Sequence, residues 1–220
     1  MTDRLGDLPA PDALEKALAS ALHEHRDKEI NNITFSGNGE ATLHPCFGEL
    51  VDIAKKLKEE YAPQARLGIL SNSSAVHKDV VRQSLARLDF RIMKLDGGNL
   101  KTFRKINRPC RSVDYRAILN GLKSLEDLTT QTIFVDGPIS NISDSELEAW
   151  IARIGEIQPV KAQIYSLHRP PAESTLREVP GEKLREIAAR TEAATGVSVE
   201  VIVAVSPYSR RYHDPYKKEP

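Results

Sequence analysis

Ile33-Thr34-Phe35-Ser36-Gly37-Asn38-Gly39-Glu40-Ala41-Thr42-Leu43-His44-Pro45 holds a strand, a turn and an acid in close succession. Its first four residues are short, β-branched and apolar, the pattern of a buried strand. Gly37 and Gly39 flank Asn38 and permit backbone angles and close main-chain approaches that side chains forbid. Glu40 then presents a carboxylate just past the strand's C-terminal end, where parallel α/β folds keep the groups that act on ligands. By composition alone, a glycine turn carrying a solvated acid fits equally well.

Outward from this segment the chain alternates between helical and strand patterns. Upstream, Leu14, Leu18 and Leu22 make one helical face, with Asp12 and Glu15 as a capping box. Downstream, Phe47, Leu50, Val51, Ala54 and Leu57 mark a second helix, and 66–70 a strand stopped by Ser71-Asn72-Ser73-Ser74. A helix over 77–88 leads to a strand over 90–95, ended by Asp96-Gly97-Gly98-Asn99. Val113 to Leu125 reads as a helix, 132–135 as a strand, and Asp136-Gly137-Pro138 as a turn. Ser143 and Glu146 form a second capping box before the helix bearing Leu147, Trp150, Ile151 and Ile154. A strand over 162–167, the breaker His168-Arg169-Pro170-Pro171, a helix from Leu184 closed by Gly196, and an apolar run over 197–205 follow.

Six strand candidates alternating with helices predict βα units, a parallel sheet and right-handed crossovers. A partial barrel and an open doubly wound sheet both satisfy this periodicity. One domain is expected over 1–205, with a polar tail over 206–220.

Composition narrows the function classes. Lys plus Arg and Asp plus Glu both number 31, so no net charge pulls the chain toward nucleic acid or an anionic membrane. A local basic patch for tRNA is not excluded by this balance. No apolar run approaches the roughly 20 residues of a membrane span, and residues 1–4 open no secretion signal, so a cytoplasmic location is expected. Cys46 and Cys110 belong to no short-spaced metal motif. There is no GxSxG elbow, HExxH pair or P-loop, and Gly37-Asn38-Gly39 lacks the third glycine of a dinucleotide loop.

Other strand ends supply further candidates. Ser71 and Asn72 suit a ribose or a carboxylate, and equally a helix N-cap. Lys94 and Asp96 close the third strand, although Asp before Gly-Gly is a common turn former. Gln131 and Asp136 flank the fourth, and His168-Arg169 follows the fifth as an anion contact or as surface charge.

The segment from Ile33 to Pro45 resembles the glycine–glycine–glutamate segment of radical S-adenosylmethionine (SAM) proteins. The likeness is to the Fe–S oxidoreductase group related to wyosine-synthesis and glycyl-radical activating enzymes, where it reads TFSGNGEPTLHP; Ala41 stands in place of the proline. It continues through Lys94-Leu95-Asp96, Phe103 to Pro109, Gln131 to Gly137 and Tyr165 to Ala172. The resemblance implies a partial (β/α)6 TIM-like barrel. It implies that the backbone of Asn38 and Gly39, with the Glu40 carboxylate, binds the methionyl amine of SAM. Ser71 and Asn72 would meet the methionyl carboxylate or ribose, and Asp96 and Gln131 would contact SAM or substrate.

The family's CxxxCxxC loop, which holds a [4Fe–4S] cluster, has no counterpart in this chain. The resemblance therefore implies an enzyme fragment lacking its first strand and cluster loop, whose intact form cleaves SAM reductively. Alternatives are a non-catalytic or split subunit that binds SAM or a partner, and an unrelated α/β-barrel lyase using Lys94. A reductase or activase partner is implied for the intact enzyme, while the substrate (tRNA, protein or small molecule) is not specified. An uncovered second strand is expected to leave the chain marginally soluble or paired edge to edge as a dimer.

Overall fold

The structure, a computed structural model, describes residues 8–37, 39–168 and 173–203. In chain order it contains α1 (Pro11–Glu24), β1 (Asn32–Phe35), α2 (Phe47–Tyr61), β2 (Arg66–Ser71), α3 (Asp79–Leu85), β3 (Phe90–Lys94), α4 (Leu100–Asn107), α5 (Tyr115–Lys123) and β4 (Leu128–Ile133). These are followed by β5 (Val135–Asp136), α6 (Asp144–Ile157), β6 (Lys161–Tyr165), β7 (Arg177–Glu178), α7 (Gly181–Thr195) and β8 (Val199–Ile202).

Six strands form one parallel sheet in the order β1-β2-β3-β4-β6-β8. Neighbours in the sheet follow the chain, so every crossover steps in the same direction. Right-handed crossovers then put the helices on a single face. Burial shows that face directly. Leu67, Ile69, Met93, Leu128, Ala162 and Ile164 are buried in the core with Val51, Leu85, Ile118, Trp150 and Ile187 from the helices. The residues between them point the other way: Leu70 is 42% exposed, and Ile92, Lys94, Gln131, Gln163 and Tyr165 are half-buried. A doubly wound sheet would bury both faces, so the partial barrel is the architecture, with its second face concave.

Several local expectations are corrected. The fourth strand is Leu128–Ile133 rather than 132–135. Thr129, Thr130 and Thr132 are β-branched and fit a pleated surface, a signal that the apolar Ile133-Phe134-Val135 run concealed. Asp136, expected in a turn, pairs through β5 with β7, and Arg177 holds its carboxylate at 2.9 Å.

Neither capping box forms. The first helix starts at Pro11 with Ala10 as an N-cap lacking a side-chain bond, and proline at N1 needs no donor there. Asp12 and Glu15 pair instead with Lys16 and with Lys56 of α2. Ser143 makes no side-chain cap bond, and Glu146 accepts hydrogen bonds from Asn99 and Thr102 across the α4 start. Helix α4 itself was not anticipated; its sequence is mostly polar, and only Thr102 and Phe103 are buried. The tail expected over 206–220 lies outside the described residues. Among the described residues, no helix is long and apolar enough to cross a membrane.

Candidate functional site

The turn after β1 brings Glu40 toward the end of β2. A Cβ added at Gly37 (φ 150°) or at Gly39 meets nothing within 4 Å, so open space borders this turn. Glu40 caps the short 3-10 turn Ala41–Leu43, accepting at Oε1 from the Thr42 N–H (3.2 Å) and hydroxyl (2.5 Å). The Ser71 hydroxyl donates to the same oxygen at 2.8 Å, and the Asn72 N–H donates to Oε2 at 2.6 Å. Three of the residues singled out from sequence therefore meet in one cluster. Hydrogen bonds to a carboxylate are among the stronger ones, and Oε2, with one donor, retains acceptor capacity. Asn38 lies outside the described residues.

The turn after β2 is folded by its own side chains. Asn72 Oδ1 accepts from the Ser74 N–H at 2.9 Å, and Ser71 Oγ accepts from the Ser73 N–H at 3.0 Å. Ser73 adopts φ 66°, a left-handed conformation, and its hydroxyl donates to the Lys94 carbonyl at 2.8 Å. The β2 turn is thereby tied to the end of β3.

Asp96, 3% exposed, forms a second group. Its Oδ1 accepts from the Ile133 N–H at 3.0 Å, and its Oδ2 lies 3.4 Å from Lys94 Nζ. Burial pushes the Asp96 carboxyl above the ordinary range, while the Lys94 ammonium and the Ile133 N–H pull it back. For Lys94, burial works against the charged amine, but Asp96 and the Tyr165 phenol outweigh it and hold the amine above its usual value. Lys94 Nζ donates to the Tyr165 hydroxyl at 3.0 Å.

Tyr165 and the buried Asn141 were missed from sequence. Asn141 spans the strand ends, donating to the Asp96 and Ile133 carbonyls and accepting from the Val135 N–H. An asparagine inside Ile139-Ser140-Asn141-Ile142-Ser143 reads as ordinary loop chemistry, so no signal marked it. Gln131 joins neither group: its Nε2 donates to Gln163 Oε1 at 3.2 Å on the concave face.

Among the described residues, no three His, Cys, Asp or Glu side chains are placed to hold a metal ion. Cys46 and Cys110 are free and half-buried. Arg108 pairs with Glu173 at 3.1 Å on the surface, and Arg169 lies outside the described residues.

No family model matches the chain. Among curated proteins it is 26% identical over 178 residues to the GTPase Obg of Brachyspira hyodysenteriae, covering 80% of this chain and 25% of that protein. It is 27% identical over 169 residues to a UPF0026 protein of Synechocystis (76% of this chain, 60% of the relative), and 24% identical over 185 residues to one of Methanocaldococcus jannaschii (82% and 55%). The chain thus spans a quarter of the first relative and little more than half of the others. The P-loop that a GTPase requires is absent from this sequence.

Solved structures give the fold. A radical SAM methyltransferase of Sphaerobacter thermophilus superposes with a TM-score of 0.64 at 18% identity, covering 88% of this chain and 57% of that one. Streptococcus suis SuiB bound to S-adenosylmethionine gives 0.64 at 14% (92% and 46%), and a pyruvate-formate lyase-activating enzyme domain of Bacteroides vulgatus gives 0.59 at 13% (79% and 99%). The chain has the six-stranded parallel architecture of radical SAM partial barrels.

Proposed function

We propose that this chain is the larger part of a radical SAM-type enzyme and that the Glu40 cluster is its SAM-binding site. The observation that carries this reading is the meeting of Glu40, Ser71 and Asn72 beside the open space at Gly37 and Gly39. An adenosylated amino acid needs both features: main chain that it can lie against, and a carboxylate with a free acceptor position for its ammonium. In this reading Gly39 and Glu40 hold the methionyl amine, while Ser71 and Asn72 lie toward the methionyl carboxylate or ribose. Asp96 faces SAM or substrate from the end of β3. When bound, SAM supplies a sulfonium whose carbon–sulfur bond opens to radical chemistry.

A [4Fe–4S] cluster does not fit the described residues, because two separated cysteines fall short of its thiolate set. Reductive cleavage in this reading belongs to an assembly whose cluster ligands come from outside these 220 residues. The same shortage favours a second reading, a non-catalytic subunit that binds SAM or a partner. The lyase alternative is disfavoured by Lys94: an amine nucleophile needs a lowered pKa, and Asp96 and Tyr165 hold this one up.

Equilibrium dialysis of the purified chain against labelled SAM tests the proposal. Saturable one-to-one binding is expected, weakened about tenfold by Glu40→Gln, equivalent to about 1.4 kcal/mol. A urea titration of the variant checks that it remains folded. Absence of binding, or equal affinity in a folded Glu40→Gln variant, overturns the reading.

A further inference from the structure

We propose that the concave face of the sheet binds an uncharged amide group of a ligand through Tyr165, Lys94 and Gln131. This goes beyond the SAM reading and does not depend on it. The strand register sets Lys94, Gln131, Gln163 and Glu200 side by side across β3, β4, β6 and β8. Ile133, Tyr165 and Ile202 form the next row. All of these lie on the face that the helices leave uncovered.

Charge on this face is cancelled in pairs. Lys94 lies 3.4 Å from Asp96, and Lys161 lies 3.3 Å from Glu200. Carboxylates and phosphates are recognised by cations able to engage them, and both lysines here already face a carboxylate. The ligand selected is therefore polar but uncharged.

The hydrogen-bond directions specify it further. A carboxylate only accepts, so Glu200 requires Gln163 to turn its Nε2 outward, at 3.1 Å. Gln163 Oε1 then faces Gln131, which must donate its own Nε2. Gln131 Oε1 is left with no donor among the described residues. At the other side Tyr165 accepts from Lys94, so its own O–H is free to point away and has no acceptor among them. A phenol O–H and an ammonium N–H beside a carboxamide oxygen complement an amide, whose carbonyl accepts while its N–H donates.

A nucleobase fits less well, because single-stranded recognition relies on stacking against a free aromatic face. The Tyr165 ring is engaged by Lys94 Nζ, 5.5 Å from its centre, and by His168, stacked at 5.7 Å. Leu70, 42% exposed, and its register partner Ile92 offer apolar surface on the same face for the rest of the ligand.

The test is a nitrogen-15 NMR titration of the full chain, following the side-chain amide signals of Gln131 and Gln163. The probes are acetamide and N-acetylglycine methylamide, with acetate and inorganic phosphate as anions. Saturable shifts with the amides alone are expected, weakened about tenfold in Tyr165→Phe and in Gln131→Leu. Tighter binding of the blocked amino acid indicates a peptide ligand, and equal binding a small carboxamide. Either anion shifting these signals as readily, or both amides leaving them unmoved, overturns the proposal. Tyr165→Phe removes only one hydroxyl, so it serves should Gln131→Leu fail to fold. Glu40→Gln is expected to weaken SAM binding about tenfold with these shifts intact, so each proposal can fail alone.

Discussion

Tyr115 shows how a single buried group carries a measurable signature. Its ring packs 5.2 Å from that of Phe103, and its hydroxyl donates to the Gly97 carbonyl at 2.9 Å. Burial pushes the phenol up to about 12; Arg153 opposes this and Glu156 adds to it. The native state thus keeps a proton that the unfolded chain releases near the ordinary value of about 10. The stability linked to this phenol is complete below that value and is lost as pH rises through about 12. Phenolate absorbance is expected to show a tyrosine titrating at about 12 that Tyr115→Phe removes; an unchanged curve in the variant would exclude the assignment. The same contrast governs what was legible at this scale. Glu40, Ser71, Asn72 and Asp96 stood out because each follows a strand, where side chains point to the barrel mouth. Tyr165 and Gln163 alternate with apolar residues and read as a solvated strand face. Only the strand order and register, which no local pattern encodes, set Gln163 beside Gln131 and bring Tyr165 within reach of Lys94.

At the scale of elements, two glycines separate backbone need from packing need. A Cβ on Gly98 would lie 2.1 Å from the Trp150 nitrogen and 2.2 Å from the Ala149 carbonyl carbon. These are main-chain atoms of α6 and cannot yield, so the helix itself must shift. Trp150 is anchored there, donating to the Thr132 hydroxyl at 3.0 Å and packing edge-on to Phe134. Gly98→Ala is expected to cost about 1–3 kcal/mol or more, the range for overpacking a core. Gly155 lies inside α6, and its added Cβ would meet only Thr195 Cγ2 at an ordinary 3.5 Å. Gly155→Ala is expected to stabilise by about 0.5–1 kcal/mol, since glycine is a poor helix former. Urea titrations of the pair check both signs, and a destabilised Gly155→Ala would contradict the packing described. The helices α2, α5, α6 and α7 were readable from their apolar stripes. The close approach of α6 to Gly98, and the helix α4, were not: the Gly98 that permits the contact sits in a Gly-Gly pair that also reads as a turn signal.

Across the whole molecule the sheet ends at β1, whose outer edge has no strand partner among the described residues. The Asn31 carbonyl accepts from the Arg66 N–H, which fixes the phase of the ladder. Alternate residues of a parallel strand face the neighbour, so Ile33 and Phe35 bond toward β2, while Asn32 and Thr34 turn their N–H and C=O groups outward. Ile33 and Phe35 are only half-buried although they pack on the core, unlike Leu67 and Ile69 one strand further in. An edge with free amides and part-exposed apolar side chains is a template for pairing. The isolated chain is therefore expected to dimerise reversibly through β1, seen as a concentration-dependent sedimentation coefficient. Proline is tolerated on an edge where its missing N–H faces away from the sheet. Thr34→Pro should accordingly leave the β1–β2 ladder intact and shift the chain to monomer, with its thermal transition still cooperative. A wild-type chain that sediments as a monomer at every concentration would show that this edge is already protected. A Thr34→Pro variant that unfolds would mean instead that Thr34 points inward and that the ladder phase derived from Asn31 is wrong.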